Sequence, residues 1–203
     1  MNGPTVALVD SGGTNIGSVT YALERLGARA VMTSDPATIT AADRVVLPGV
    51  GAAGAGMRRL RDTGLVEVLQ GLEQPLLGVC LGMQLLFESS EEDGGVSCLG
   101  LLPGAVVAIP PAPGVRVPHM GWNALEVLRE DPILTGMSSG ERAYFVHSYA
   151  VPVGPVTTAA TDHGGPWSAV VRDGSRWGAQ FHPERSAGVG ARLLRNFLGE
   201  VAA

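Results

Sequence analysis

The stretch Gly78-Val79-Cys80-Leu81-Gly82-Met83-Gln84 decides how the rest of the chain is read. The apolar run Pro75-Leu76-Leu77-Gly78-Val79 predicts a short buried strand, and Gln84-Leu85-Leu86-Phe87-Glu88 predicts the opening turns of a helix. Between them stands a cysteine with a glycine two residues away on either side. This is the thiol counterpart of a nucleophile elbow, a tight strand-to-helix turn that pushes one side chain clear of the sheet. Such a turn leaves little room for neighbouring Cβ atoms, which gives the glycines a steric reason. A thiolate at a helix N-terminus is favoured by unpaired N–H groups and by the positive end of the helix dipole. The N–H of Leu81 also falls where a tetrahedral intermediate would place its oxyanion. A buried, inert cysteine would look the same over these residues alone, so the assignment turns on a partner further along.

Working outward, Thr5-Val6-Ala7-Leu8-Val9 reads as a buried strand ended by the turn Asp10-Ser11-Gly12-Gly13. Residues 15–26 read as a helix with Ile16, Val19, Leu23 and Leu26 on one face and Gly27 as its stop. Ala30-Val31-Met32 and Arg44-Val45-Val46-Leu47 are two more strands, and residues 57–72 one further helix. Strands alternating with helices over the first ninety or so residues indicate a parallel α/β sheet. After Phe87 the segments 105–109, 124–128, 143–147, 156–160, 168–171 and 176–181 read as closely spaced strands, for which antiparallel pairing is the natural solution. Arg172-Asp173-Gly174-Ser175 is a hairpin candidate, and a closing helix over about 188–198 buries Leu193, Leu194 and Phe197. The expected fold is α/β: one domain over residues 1–203, a parallel or mixed central sheet flanked by helices, with added antiparallel strands in the C-terminal half.

The chain has 203 residues, of which 45% are hydrophobic and 16% charged, enough for a sizeable core and against wholesale disorder. A net charge of −5, without a basic cluster, argues against a nucleic-acid surface. The acidic trio Glu91-Glu92-Asp93 reads as a solvated loop. No signal peptide or membrane-spanning stretch is evident, so a cytoplasmic setting with reduced thiols is expected. Two Cys and four His without close pairing give no metal-site signature, and no cofactor is expected.

The partner for Cys80 comes from Gln180-Phe181-His182-Pro183-Glu184. Residues two apart in an extended segment share a side, and Pro183 holds His182 out of the helical region. His182 and Glu184 can then lie together, the imidazole exchanging the thiol proton while the carboxylate fixes its tautomer. Gly49, Gly51 and Gly54 satisfy G-x-G-x-x-G and raise a dinucleotide-binding rival. The match is weak, because it follows the third strand and Pro48 interrupts the junction. An oxyanion loop near Cys80 and a merely permissive turn are the other readings of these glycines.

With Cys80, His182 and Glu184 in place, the chain resembles the class I (triad) glutamine amidotransferases. More narrowly, it is similar to the glutaminase subunits of imidazole glycerol phosphate synthases. The likeness runs nearly end to end, through Asn15-Ile16-Gly17-Ser18-Val19, Leu47-Pro48-Gly49-Val50-Gly51, residues 78–87, Val117-Pro118-His119-Met120-Gly121-Trp122-Asn123, Tyr144-Phe145-Val146-His147-Ser148-Tyr149 and residues 180–184. The resemblance implies hydrolysis of glutamine to glutamate, with ammonia passed to a separate cyclase subunit in a heterodimer of histidine biosynthesis. It implies Cys80 as nucleophile, His182 as acid and base, Glu184 as orienter, and Leu81 with Val50 or Gly51 at the oxyanion. Gln84, Ser148 and Tyr149 would bind the substrate. Asn15, His119, Met120, Trp122 and Asn123 would meet the cyclase, Trp122 as an aromatic anchor unless it packs beneath a loop.

Ser11, Ala53, Arg185 and Ala187 stand where the family often has Tyr, Phe, Lys and Gln. A looser loop at Ala53 and missing contacts at Ser11 and Ala187 are the expected consequences. The rivals are a glutaminase serving another synthase, a Cys peptidase or amidase of similar fold, and a non-catalytic binding protein that keeps the fold.

Overall fold

The computed structural model describes residues 3–12 and 17–199, together with the backbone but not the side chain of Ile16. Asn15, expected at a partner interface, lies outside the described residues. The chain runs β1 (Thr5–Val9), α1 (Ile16–Glu24), β2 (Arg29–Thr33), α2 (Pro36–Ala41), β3 (Arg44–Gly49), α3 (Ala53–Asp62), α4 (Leu65–Gln70), β4 (Leu76–Cys80) and α5 (Leu81–Leu85). There follow β5 (Ser89–Ser90), β6 (Val96–Ser97), β7 (Ala105–Ala108), β8 (His119–Ala124), β9 (Glu126–Val127), β10 (Arg142–His147), β11 (Tyr149–Ala150), β12 (Thr157–Asp162), β13 (Pro166–Asp173), β14 (Arg176–Ala179) and α6 (Ala187–Phe197).

Eight strands form one mixed sheet in the order β2-β1-β3-β4-β14-β13-β12-β9. The first five are parallel neighbours and the last three pair antiparallel. Strand alternation divides the core. Val6, Leu8, Val46, Leu77 and Val79 face one layer with Val19 and Leu23 of α1 and Leu193, Leu194 and Phe197 of α6. Ala7, Val9, Val45, Leu47 and Leu76 face the other with Ile39, Met57, Leu60, Leu65 and Leu69 of α2 to α4. Each large apolar side chain so buried contributes about 1.5–3 kcal/mol. The α/β architecture expected from the sequence is the one observed. Among the described residues no helix is long and apolar enough to cross a membrane.

The local reading needs three corrections. Residues 57–72 are not one helix: α3 starts earlier, at Ala53, and the chain breaks at Gly64, whose φ is 67°. The short helix α2, capped by the Asp35 carboxylate on the N–H of Thr38, has no counterpart in the sequence reading. After the elbow, α5 begins at Leu81 and is only five residues long, so residues 84–88 do not open a long helix.

Parallel pairing of β14 with β4 is the connection that matters most for the site. It sets Gly178 beside Gly78 and Ala179 beside Val79, so residues 180–184 emerge next to Cys80 at the same end of the sheet. The smaller sheets, β8 with β10 and β11-β7-β5-β6, stand over that end and supply the walls of a cavity.

Candidate active site

Cys80 ends β4 and caps α5 with φ 53° and ψ −111°, a conformation that costs a non-glycine residue on the order of 1–3 kcal/mol. Close packing holds it there. A Cβ on Gly82 would sit 1.7 Å from the Leu47 carbonyl oxygen, and one on Gly49 would sit 2.8 Å from the Gly82 nitrogen. Glycine at both positions lets the end of β3 and the first turn of α5 touch, backbone to backbone. Of G-x-G-x-x-G, Gly49 is therefore part of the elbow's seat, while a Cβ on Gly51 would meet nothing within 4 Å. The motif's last glycine, Gly54, lies against the Asp93 carboxylate, which accepts from the Gly54 N–H at 3.2 Å.

His182 is fixed on three sides. Its N–H donates to the Tyr144 carbonyl at 2.9 Å, its carbonyl accepts from Ser186 Oγ at 2.7 Å, and Ser186 Oγ accepts from the Tyr144 N–H at 2.9 Å. Its Nδ1 lies 2.9 Å from Glu184 Oε1, with both side chains buried. Burial opposes a charge on the ring, but the Cys80 sulfur and the Glu184 carboxylate outweigh it and raise the His182 pKa to about 10. The Cys80 sulfur lies 3.8 Å from the Val146 carbonyl oxygen, and Gln180 Nε2 approaches it to 3.9 Å. Cys80, His182 and Glu184 are thus brought together as nucleophile, imidazole and orienter.

A cavity of about 350 Å³ opens over the sulfur, within the usual size for small-molecule sites. Its lining includes Val50, Gly51, Leu81, Gln84, Ser148 and Tyr149, so every residue expected at the oxyanion or the substrate is present. Leu81 opens α5, where its N–H has no partner within the helix. Gln84 is more constrained than expected. Its Nε2 donates to the Tyr149 carbonyl at 2.8 Å and to Gln180 Oε1 at 3.0 Å, leaving only its Oε1 to offer a ligand.

Glu92, Val146 and His147 line the same cavity, and the sequence reading does not place them there. Sequence alone puts Glu92 in a solvated acidic loop. Instead its Oε2 accepts from the Ala53 N–H at 2.7 Å, so Glu92 and Asp93 cap the N-terminus of α3 just beyond the Val50-Gly51 loop. Desolvation raises the pKa of Glu92 despite that bond. The loop at Ala53 is therefore tied down. Ser11 makes a contact of its own: its hydroxyl donates to the Pro48 carbonyl near the end of β3 at 2.6 Å.

On β8 the alternation separates the expected interface residues. Met120 and Trp122 are 63% and 48% exposed, whereas His119 is only 3% exposed. His119 therefore does not present its side chain to a partner. It stacks between Phe145 and His163, at centroid distances of 4.7 and 4.0 Å. Asn123 is half-buried, with its amide turned to the Asp162 carbonyl at 2.7 Å. Trp122 rests edge-on against Tyr144, and the Arg185 guanidinium covers the Tyr144 ring at 4.4 Å.

A strained cysteine elbow at the end of a parallel sheet, completed by a buried His-Glu pair, defines a thiol-dependent acyl-transfer enzyme of the triad type. The family model for class I glutamine amidotransferases matches residues 7–201. Imidazole glycerol phosphate synthase subunit HisH from Xanthomonas euvesicatoria pv. vesicatoria is 62% identical over 193 residues, which cover 95% of this chain and 96% of that protein. HisH from Xylella fastidiosa is 59% identical over the same coverage. The fold is shared with a solved structure from Thermoplasma acidophilum, described as a putative GMP synthase subunit (TM-score 0.75, 20% identity, covering 100% of this chain and 96% of that one). The chain belongs to the class I glutamine amidotransferases and, within them, to the HisH subunits of imidazole glycerol phosphate synthase.

Proposed function

We propose that this chain hydrolyses glutamine to glutamate and ammonia through a thioester on Cys80, and passes the ammonia to a cyclase subunit. That partner would make imidazole glycerol phosphate and an aminoimidazole carboxamide ribotide in histidine biosynthesis, in the cytoplasm. One observation carries the chemistry: the His182 imidazole, held 2.9 Å from the Glu184 carboxylate, lines with Cys80 a cavity of about 350 Å³.

The thiolate of Cys80 attacks the carboxamide carbon while His182 keeps the proton. The oxyanion is met by the N–H of Leu81 and by the backbone at Val50 or Gly51. His182 gives its proton to the departing nitrogen, and ammonia leaves behind a glutamyl thioester. Water then attacks, losing its proton to His182, and the thiolate departs with the imidazolium restored. Glu184 holds the Nδ1 proton throughout. The Glu92 carboxylate and Gln84 Oε1 are acceptors only, suited to the substrate's ammonium group, and Ser148 and Tyr149 line the same cavity. Met120, Trp122 and Asn123 on β8 would carry the cyclase.

The test is glutamate release from glutamine by the chain alone, then with the cyclase and its ligand. A low rate alone and a large rise with both is the expected outcome. Equal rates would assign the triad to a different synthase or to a free amidase.

A further inference from the structure

His119 and His147 are paired in register across β8 and β10, and no step of the chemistry above uses them. The proton on each ring follows from its partners. His147 Nδ1 lies 2.8 Å from the Tyr149 carbonyl, which can only accept, so Nδ1 carries the proton and Nε2 is an acceptor. That Nε2 lies 3.0 Å from His119 Nδ1, which must therefore donate. His119 Nε2 is then an acceptor in its turn, and Asn123 Nδ2 reaches it at 3.1 Å. The second N–H of Asn123 goes to the Asp162 carbonyl at 2.7 Å, and its Oδ1 accepts from the Ala124 N–H at 2.8 Å. Backbone carbonyls at both ends leave one consistent set of donors, all pointing from Asn123 toward Tyr149.

Burial, and the neighbouring rings of His147 and His163, hold the His119 pKa down to about 3. Burial also lowers that of His147 to about 4, against the bond to Tyr149, with His163 and His182 adding repulsion. Both rings stay neutral, as the chain of donors requires. At the inner end, the Tyr149 carbonyl also receives Gln84 Nε2, and His147, Ser148 and Tyr149 all line the cavity. At the outer end, Asn123 adjoins the exposed Trp122.

We propose that Asn123, His119 and His147 are positioning residues that act as one directional relay, setting the Ser148–Tyr149 wall of the cavity from the exposed strand β8. This rests on the glutaminase reading for its effect on turnover, though the relay itself does not. A partner that shifts β8 would reach the wall through these three side chains without touching Cys80.

The experiment uses the full chain with ¹⁵N-labelled histidine, recording its imidazole nitrogen shifts beside KM and kcat for glutamine when it is assembled with the cyclase and its ligand. In the parent protein, His119 and His147 should both appear as neutral Nδ1–H tautomers. Asn123→Asp replaces the donor with an acceptor, which obliges His119 Nε2 to take a proton, either by a tautomer shift that takes the Nδ1 proton from the bond to His147 or by charging the ring and strengthening that bond. The signals of both rings should change, and KM should rise up to about tenfold, the scale of one hydrogen bond, with a smaller change in kcat. Should that variant not fold, Asn123→Ala reads the same coupling by leaving His119 Nε2 unpaired. An Nε2–H tautomer at either ring in the parent, or a change at His119 that leaves His147 and KM unmoved, would overturn the proposal. Absence of any glutamine turnover by the parent chain assembled with the cyclase and its ligand would sink the glutaminase reading, while the tautomers would still decide the relay.

Discussion

The Nδ1 atom of His182 lies 2.9 Å from Oε1 of Glu184, with both side chains withdrawn from solvent. Burial disfavours charge on this ring, and the Glu184 carboxylate is one of the neighbours that offset it. Glu184→Gln keeps the shape but removes that charge, and can leave the wrong tautomer facing Cys80. We expect kcat for glutamine hydrolysis to fall on the order of 10⁴-fold, the scale seen when the orienting member of a triad is neutralised. The His182 pKa should drop with it, read from the alkaline limb of the pH–rate profile. In the parent chain, a folded pKa of about 10 against 6.5 unfolded means the stability His182 contributes is complete below pH 6.5 and is lost as pH rises through 10. Unchanged kcat in the variant would remove Glu184 from the site.

The seat of the elbow is tested by two glycines. Gly82→Ala drives a Cβ into the Leu47 carbonyl, backbone against backbone, and should cost about 1–3 kcal/mol or prevent folding. Gly188→Ala, in α6 with nothing within 4 Å, should stabilise by about 0.5–1 kcal/mol through helix propensity. Denaturant midpoints measure both, and equal effects would contradict the close approach of β3 to α5.

Acid should weaken the fold before the carboxylates titrate. His119 and His147 stay neutral in the folded chain down to about pH 3 and 4, whereas unfolded histidine takes up a proton below 6.5. The unfolded state binds more protons in that window, so stability falls with falling pH, by about 1.4 kcal/mol per unit for each ring. Urea midpoints between pH 6.5 and 5 should decline accordingly. A flat profile would show that these rings charge freely in the folded chain.

Trp122 is half exposed and touches Tyr144 by an edge, so Trp122→Ala should leave thermal stability within about 0.5 kcal/mol. Affinity for the cyclase should fall by at least about 2 kcal/mol if the ring is an anchor. Titration calorimetry decides it, and unchanged affinity would place the interface elsewhere.

What the sequence disclosed followed the range of the forces involved. The elbow was legible because its constraint is local: a strained Cys80 needs glycine at 78 and 82 whatever the rest of the chain does. His182 and Glu184 were legible as an imidazole and a carboxylate flanking a proline, but Pro183–Arg185 form a 3-10 turn beyond the end of β14, so the pair meets across that turn and not by the period-two geometry of the extended segment expected. Their approach to Cys80 was not, since it depends on β14 joining β4 in parallel across about a hundred residues. The break at Gly64 was hidden by apolar periodicity that continues through it. Glu92 read as solvent-facing because charge alone does not show that two backbone N–H groups of α3 await a cap. The burial of His119 is written in the strand alternation, which sets it opposite Trp122, but the Pro-His-Met-Gly-Trp-Asn motif reads more readily as one surface.

The most direct measurement is glutamate release by the parent chain and by Cys80→Ala, each assembled with the cyclase. The account predicts that the variant binds the cyclase as the parent does, shows no release above background, and forms no glutamyl thioester on acid quenching. Retained glutamate release from Cys80→Ala would contradict the assignment of this elbow as the catalytic centre.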